Sequence, residues 1–203
     1  HTLLLIANSF FDYKIVGTTL DDAVGEAYDK VAKLLNLGYP GGPVIDKIAA
    51  AYKKQDYVKF PLGLSKDEKN KYNFSYSGLK TAVLNFVKKN PEFDYKKIVK
   101  GFQIAAINVL YEKTMLLAKE TGIKQICIAG GVAANSYLRE IFLREKKLKI
   151  HIPDIKLCTD NGAMVAGYGY HKAKAGMFDN LEMDVFSRPS GGPTKYLSEG
   201  VKV

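Results

Sequence analysis

The residues best suited to chemistry in this chain sit at four junctions, each combining glycine, carboxylate or amide. The central one is Cys127-Ile-Ala-Gly-Gly-Val-Ala-Ala-Asn-Ser-Tyr-Leu-Arg-Glu140. Residues 125–129 read as a buried strand, Gly130-Gly131 breaks it, and a helix restarts with Asn135 in its first turn or as its cap. A strand that passes through two glycines into a helix presents unpaired backbone N–H groups and the positive end of a helix dipole. That combination can cradle a phosphate or nucleotide. Lacking Cβ atoms, Gly130 and Gly131 allow a ligand close to the main chain. The plainer alternative is an ordinary strand–helix turn with Asn135 as N-cap.

The other three junctions carry carboxylates. In Thr18-Thr-Leu-Asp-Asp-Ala-Val-Gly-Glu-Ala-Tyr-Asp-Lys30, the acids Asp22, Glu26 and Asp29 fall at i, i+4 and i+7, one face of a helix. Acids so aligned repel unless they hold hydroxyls, amines or a metal, or unless Lys30 and Lys33 balance them as part of a capped, solvated face. Tyr39-Pro-Gly-Gly-Pro43, followed by Asp46, exposes backbone beside a carboxylate, an arrangement suited to ribose or amino-acid recognition or to a simple turn. Asp160, in Leu157-Cys-Thr-Asp-Asn161, can cap the next helix or ligate a divalent ion beside a phosphate. A lone carboxylate does not complete a metal site. His1, His151 and His171 are isolated, no HExxH or HxxxH pattern occurs, and His171 reads as a surface residue of the last helix. Four such junctions in one domain point to a single cleft.

These junctions need a scaffold. Residues 2–7 and 13–18 read as a hairpin, and Thr19 or Asp21 is expected to cap a helix through Ala23, Ala27, Val31, Leu34 and Leu35. Residues 44–52 suit a short helix, and residues 55–76 suit irregular structure or a small hairpin. Ser77 opens a helix that Asn90-Pro91 ends, and Asp94 opens a long one with Ile98, Phe102, Ala105, Val109, Met115 and Leu116 on a face. Residues 149–152 suit a parallel strand. A last helix follows Asp160 or Asn161, its Gly162, Ala163, Ala166, Gly167 and Gly169 permitting close packing. A hairpin followed by alternating helices and strands predicts an α/β layered domain over 1–176, with a small insertion at 53–76 and a loosely ordered tail at 177–203.

At 203 residues and 47% hydrophobic, the chain can bury a core. Its net charge of +9 permits a polyanionic partner without requiring one. Cys127 and Cys158 form neither a disulfide framework nor a metal knuckle, consistent with reduced thiols in the cytoplasm. No apolar run is long enough to span a membrane. The chain opens inside a strand at His1, without Met, and reads as part of something longer.

Several segments together are distinctive: His1-Thr2, Thr19-Leu-Asp-Asp-Ala23, Glu26-Ala-Tyr-Asp-Lys30 and Ala32-Lys-Leu-Leu-Asn-Leu-Gly-Tyr-Pro-Gly-Gly-Pro43. They continue as Phe74-Ser-Tyr-Ser-Gly-Leu-Lys-Thr-Ala-Val83, Ala129-Gly-Gly-Val-Ala-Ala-Asn-Ser136 and Cys158-Thr-Asp-Asn-Gly-Ala-Met164. In order and spacing this set resembles the TsaD/Gcp/YgjD family, the tRNA N6-adenosine threonylcarbamoyltransferases. The resemblance implies the C-terminal half of a two-lobed, actin-like (sugar kinase/Hsp70-type) protein. Such enzymes bind threonylcarbamoyl-AMP between their halves and transfer the threonylcarbamoyl group to N6 of the adenosine beside the anticodon, in tRNAs reading codons that start with A.

Carried over by that resemblance, Asp29, Gly42, Asp46 and Asn135 contact the adenylate, and Asp160 ligates a divalent metal of iron or zinc type. Gly130 and Gly131 join the substrate-binding set on physical grounds. The remaining metal ligands are expected upstream, so this polypeptide alone is expected to be inactive, and no residue is assigned as general base. The resemblance also implies tRNA, a TsaB-type paralogue and a TsaE-type ATPase as partners, and a TsaC/Sua-type synthase as the source of adenylate. Two other classes compete. A non-catalytic nucleotide-binding scaffold would not need the retained adenylate loops and Asp160, and a metalloprotease would need a water-activating motif that is missing here. A sugar kinase shares only the fold.

Overall fold

The computed structural model describes residues 1–64 and 67–182. Strands β1 (Leu3–Ala7) and β2 (Tyr13–Thr18) form the expected antiparallel hairpin, with a register shift between Leu4 and Leu5. Four helices follow: α1 (Val24–Leu34), α2 (Gly41–Ala51), α3 (Ser77–Lys89) and α4 (Tyr95–Thr121). A βαβ unit comes next, made of β3 (Gln125–Cys127), α5 (Ser136–Leu143) and β4 (Lys149–His151), and α6 (Gly162–Lys174) closes the described chain. The parallel pairing of β3 with β4 requires the crossover that α5 supplies. This is the α/β class expected, built on two separate two-stranded sheets.

The core forms around α4. Its first half is buried on more than one side: Ile98, Phe102, Ala105 and Val109 face inward as expected, and so do Val99, Ala106 and Ile107. Burial on that scale needs cover on several faces, which α2, α3 and α5 provide. Further along, Met115 is only half-buried and Leu116 is exposed. Asp94 caps α4 by accepting from Lys96 N at 2.9 Å, as its position predicts.

Two expectations about helix starts are corrected. Neither Thr19 nor Asp21 caps α1; the buried hydroxyl of Thr2 in the hairpin accepts from Val24 N at 2.9 Å instead. Asp21 serves a different helix, accepting from Tyr76 N (2.8 Å) and Ser77 N (3.2 Å) at the start of α3 and from the Ser75 hydroxyl at 2.5 Å. Helix α2 begins at Gly41, so Gly41-Gly-Pro43 forms its first turn, where proline's missing N–H is tolerated. The Tyr39–Pro40 peptide before it is cis.

Among the described residues, 55–76 are irregular as expected, apart from one short 3₁₀ turn, Glu68–Asn70. The buried Lys113 ammonium holds this stretch against α4 by donating to the carbonyls of Leu64 (3.0 Å), Asn70 (3.2 Å) and Lys71 (2.9 Å). Helix α6 departs from expectation. None of its residues is buried, and the space around Gly162, Gly167 and Gly169 is open, so the small residues mediate no close packing among the described residues. Its contacts with the hairpin loop are aromatic: half-buried His171 stacks on Phe10 at 3.8 Å, and Tyr168 meets Phe11 at 5.9 Å. Most of the expected tail, residues 183–203, lies outside the described residues.

Candidate functional site

Three of the four junctions meet. Helix α2 starts against α1, where the Asp29 carboxylate accepts from Gly41 N at 2.7 Å. Only glycine fits at 41, because a Cβ there would lie 2.5 Å from the Tyr28 carbonyl oxygen and 2.7 Å from Asp29 Cα. Further along α2, Asp46 reaches α5 and accepts from Ser136 N at 3.1 and 3.0 Å and from the Ser136 hydroxyl at 2.7 Å. The chain leaves β3 at Gly130, makes a 3₁₀ turn (Gly131–Ala134) and enters α5 at Asn135. The start of α2 thus lies against the middle of α1, and the start of α5 lies against the middle of α2. The first turn of α1 lies near the 3₁₀ turn, where a Cβ on Gly25 would stand 3.7 Å from Val132.

Gly130 adopts φ +87°, ψ 172°, a conformation open essentially to glycine alone. Nothing lies within 4 Å of where a Cβ would stand at Gly42, Gly130 or Gly131. The backbone at these three positions is therefore approachable, which is what close contact with a ligand requires.

Asn135 behaves differently from its neighbours. It is 8% exposed, and its amide is committed inward. The side-chain oxygen caps α5 by accepting from Leu138 N at 2.9 Å. The side-chain nitrogen donates to Gln103 Oε1 at 3.0 Å and to the Tyr28 hydroxyl at 3.4 Å. Gln103 and Tyr28 are themselves almost fully buried, and burial pushes the Tyr28 phenol well above its ordinary pKa. A buried amide with both ends satisfied fixes the junction in place. Gln103, Tyr28 and Ser136 were not among the residues singled out from sequence. Gln103 had a signal, being a polar residue with apolar Val99 and Ile107 four positions to either side.

The three acids do not form one stripe. Asp22 lies before α1, and its carboxylate takes Lys30 Nζ at 2.5 Å and Lys80 Nζ at 3.4 Å. The Lys30 hydrogen bond holds the Asp22 carboxyl below its ordinary pKa against an opposing effect of burial. Glu26 shares Lys30 at 2.7 Å, while Asp29 turns to Gly41. The amines and hydroxyl that these acids and Asp21 hold come from the protein itself.

Asp160 stands apart. It is exposed, just before α6, and makes no hydrogen bond or ion pair among the described residues; Asn161 is the cap, accepting from Met164 N at 2.9 Å. No group of three or more His, Cys, Asp or Glu side chains gathers to hold a metal among the described residues. A free, exposed carboxylate fits one position in a coordination sphere, with the others to be supplied from elsewhere. One link runs from this turn to the converging junctions: the Arg139 guanidinium on α5 donates to the Pro153 carbonyl and, at 3.4 Å, to Cys158 Sγ. A pocket of about 300 Å³ lies away from all these residues, between α4 and the irregular stretch, and is lined by Asp67, Lys113 and Glu120 among others.

Comparison with known proteins follows the same outline. The sequence profile of the TsaD family, described as tRNA N6-adenosine threonylcarbamoyltransferase, matches residues 1–167. A protein of that description from Sulfurihydrogenibium sp. is 52% identical over 191 residues, covering 93% of this chain and 55% of that protein. One from Brachyspira hyodysenteriae is 47% identical over 192 residues, covering 93% of this chain and 56% of the relative. The chain spans about half the length of the curated relatives it matches. Among solved structures, a crystal structure of HypF from T. kodakarensis aligns with a TM-score of 0.57 at 20% identity, over 77% of this chain and 20% of that one, a likeness of fold alone. This chain belongs to the TsaD family of tRNA N6-adenosine threonylcarbamoyltransferases.

Proposed function

We propose that this chain forms the nucleotide-binding part of an enzyme that transfers a threonylcarbamoyl group from threonylcarbamoyl-AMP to N6 of an adenosine in tRNA. The observation that carries the reading is the match to the family profile over residues 1–167. The meeting of the Asp29, Gly42, Asp46 and Gly130–Gly131 junctions supports it, because an adenylate needs anionic acceptors for its ribose hydroxyls and backbone donors for its phosphate. Residues 1–176 are read as one actin-like domain of a two-lobed protein, with 53–76 as a small insertion.

In this reading the Asp46 carboxylate exchanges the Ser136 hydroxyl for ribose hydroxyls, and the phosphate lies over the main chain at Gly130 and Gly131. Asp29 keeps Gly41 and Gly42 in position through its bond to Gly41 N. Asn135 acts from below, holding the start of α5 rather than reaching the ligand with its amide. Asp160 is one ligand of a divalent ion of iron or zinc type, which when bound would polarise the carbamoyl or phosphate oxygens. The adenosine amine forms a bond to the carbamoyl carbon as the bond from that carbon to the AMP phosphate oxygen breaks. Alignment of the two substrates supplies much of the rate, and the acceptor of the amine proton is unassigned. A TsaB-type paralogue and a TsaE-type ATPase complete the proposed assembly in the cytoplasm.

The test is transfer from purified adenylate to tRNA by the full-length protein. Asp160→Ala is expected to abolish transfer while leaving AMP binding intact. Asp46→Ala is expected to weaken AMP binding by about 10-fold or more, the loss of a charge-assisted hydrogen bond. Nucleotide binding without any transfer to tRNA would instead identify a scaffold.

A further inference from the structure

One end of the helical layer carries a concentration of positive charge that the adenylate site does not use. Lys53 and Lys54 follow the end of α2, and Lys59 lies in the segment after it. Lys88 and Lys89 end α3, and Lys96, Lys97 and Lys100 open α4. Tertiary contacts bring these segments together. Lys100 Nζ donates to the Ala49 carbonyl of α2 at 3.2 Å, and Val58 N donates to the Lys97 carbonyl at 3.2 Å. Phe60 packs edge-on against Phe86 of α3 at 6.1 Å.

Across residues 53–60 and 88–100 there are eight lysines and three carboxylates (Asp56, Glu92 and Asp94), an excess of five within a chain whose net charge is +9. Among the described residues only Lys97 of this set has a carboxylate partner, Asp56 at 2.8 Å. Helix stability explains part of the pattern, since Lys88 and Lys89 suit the negative end of the α3 dipole. It does not explain Lys96, which sits in the first turn of α4, the positive end, where cations are disfavoured. Lys97 and Lys100 have partners in Asp56 and in the Ala49 carbonyl near the end of α2. Aromatic surface is interleaved: Tyr95 is exposed with Lys96 Nζ 6.0 Å from its ring, and Tyr57 is half-buried nearby in sequence.

We infer that this lysine-rich end, formed by the ends of α2 and α3 and the start of α4, binds the phosphate backbone of the RNA substrate. The inference rests on the transferase reading above and adds to it the surface that engages the nucleic acid. Helix α2 relates the two sites: its first turn belongs to the adenylate junction and its last turn to the lysines, about 16 Å apart along an 11-residue helix. RNA held there can present a base to the junction while its backbone is gripped at a distance. Unpaired lysines interleaved with aromatics suit a polyanion better than a protein face, whose core is depleted in lysine.

The experiment combines Lys53→Gln, Lys54→Gln, Lys59→Gln, Lys88→Gln and Lys89→Gln in the full-length protein. It measures Kd for whole tRNA across a salt series, together with AMP binding. All five side chains are exposed, so the fold should tolerate the changes. The expected result is Kd for tRNA raised about 10-fold or more near physiological salt, with a shallower dependence on salt and unchanged AMP affinity. A control removes the positive charge at the other end of α4, by Lys119→Gln, Lys124→Gln, Lys146→Gln and Lys147→Gln. Kd within twofold of the unmodified protein, or an equal loss in the control, would overturn the inference. So would loss of a protein partner with tRNA affinity retained. If the unmodified protein bound neither tRNA nor AMP, the transferase reading itself would fail.

Discussion

Asn135 and Ser136 are adjacent, yet one faces the interior and the other the surface. Asn135 shares a buried network with Gln103 and Tyr28 and caps α5, so its loss removes a cap and leaves a buried glutamine oxygen without a donor. Asn135→Ala is expected to cost about 1–3 kcal/mol in urea unfolding, more than an exposed cap would. Ser136→Ala removes only a hydroxyl that donates to Asp46. Its expected effect on unfolding is within about 0.5 kcal/mol, with AMP binding unchanged or tighter because one competing donor to Asp46 is removed while the Ser136 N–H remains. If Asn135→Ala proved neutral to stability and merely abolished AMP binding, Asn135 would be a direct ligand contact and its inward role would be wrong.

Among elements, the junction of α1 with α2 depends on two neighbouring glycines with opposite requirements. Gly41 is pressed against the Tyr28 carbonyl, whereas Gly42 faces open space. Gly41→Ala must push α2 away from α1 and break the Asp29 bond, an overpacking cost of about 1–3 kcal/mol, or roughly a 2–12 °C fall in Tm. Gly42→Ala, also in the first turn of α2, is expected to leave Tm unchanged or slightly raised, since alanine favours helix. If Gly42 is approached by the adenylate, that same change weakens AMP binding. Opposite responses in Tm and in AMP affinity at adjacent residues would separate packing from ligand approach. Gly130→Ala should cost about 1–3 kcal/mol for a different reason, the backbone conformation, because there is room for the added methyl.

At the scale of the whole molecule, one charged cluster ties the irregular stretch to the helices. Asp56 accepts from Lys97 at 2.8 Å and from the Tyr52 hydroxyl at 2.7 Å. The Lys97 bond, then the Tyr52 bond, lower the Asp56 carboxyl from its ordinary 3.8 to about 2. Burial, aided by that same carboxylate, raises the Tyr52 phenol to about 12. A carboxyl with a depressed folded pKa contributes stability that is present above its unfolded value and is lost as pH falls through the folded one. Acid unfolding should therefore include a component between about pH 4 and pH 2 that Asp56→Asn removes, visible as a flatter stability profile in that window. The described surface also leaves α6 uncovered, with Met164, Val165, Tyr168 and Tyr170 exposed. The relatives it matches are longer, and hydrogen exchange in α6 is expected to be slower in a protein of their length than in these 203 residues.

Sequence alone determined the elements whose periodicity or punctuation is local. The hairpin, the Ser77 and Asp94 helix starts, the Asn90-Pro91 stop and the strand–Gly-Gly–helix unit all follow from side-chain spacing, capping chemistry and backbone freedom within a few residues. It also carried the family, because the junction motifs are long and keep their order. Tertiary structure decided which partner each polar group takes. Asp21 caps a helix that starts 56 residues later, and Thr2 caps α1 from 22 residues away. Asp22 satisfies lysines from two helices rather than joining a stripe, and Gln103 meets Asn135 across 32 residues. Short, directional hydrogen bonds between distant segments leave no periodic trace in a sequence, since either partner alone reads as an ordinary cap or surface residue.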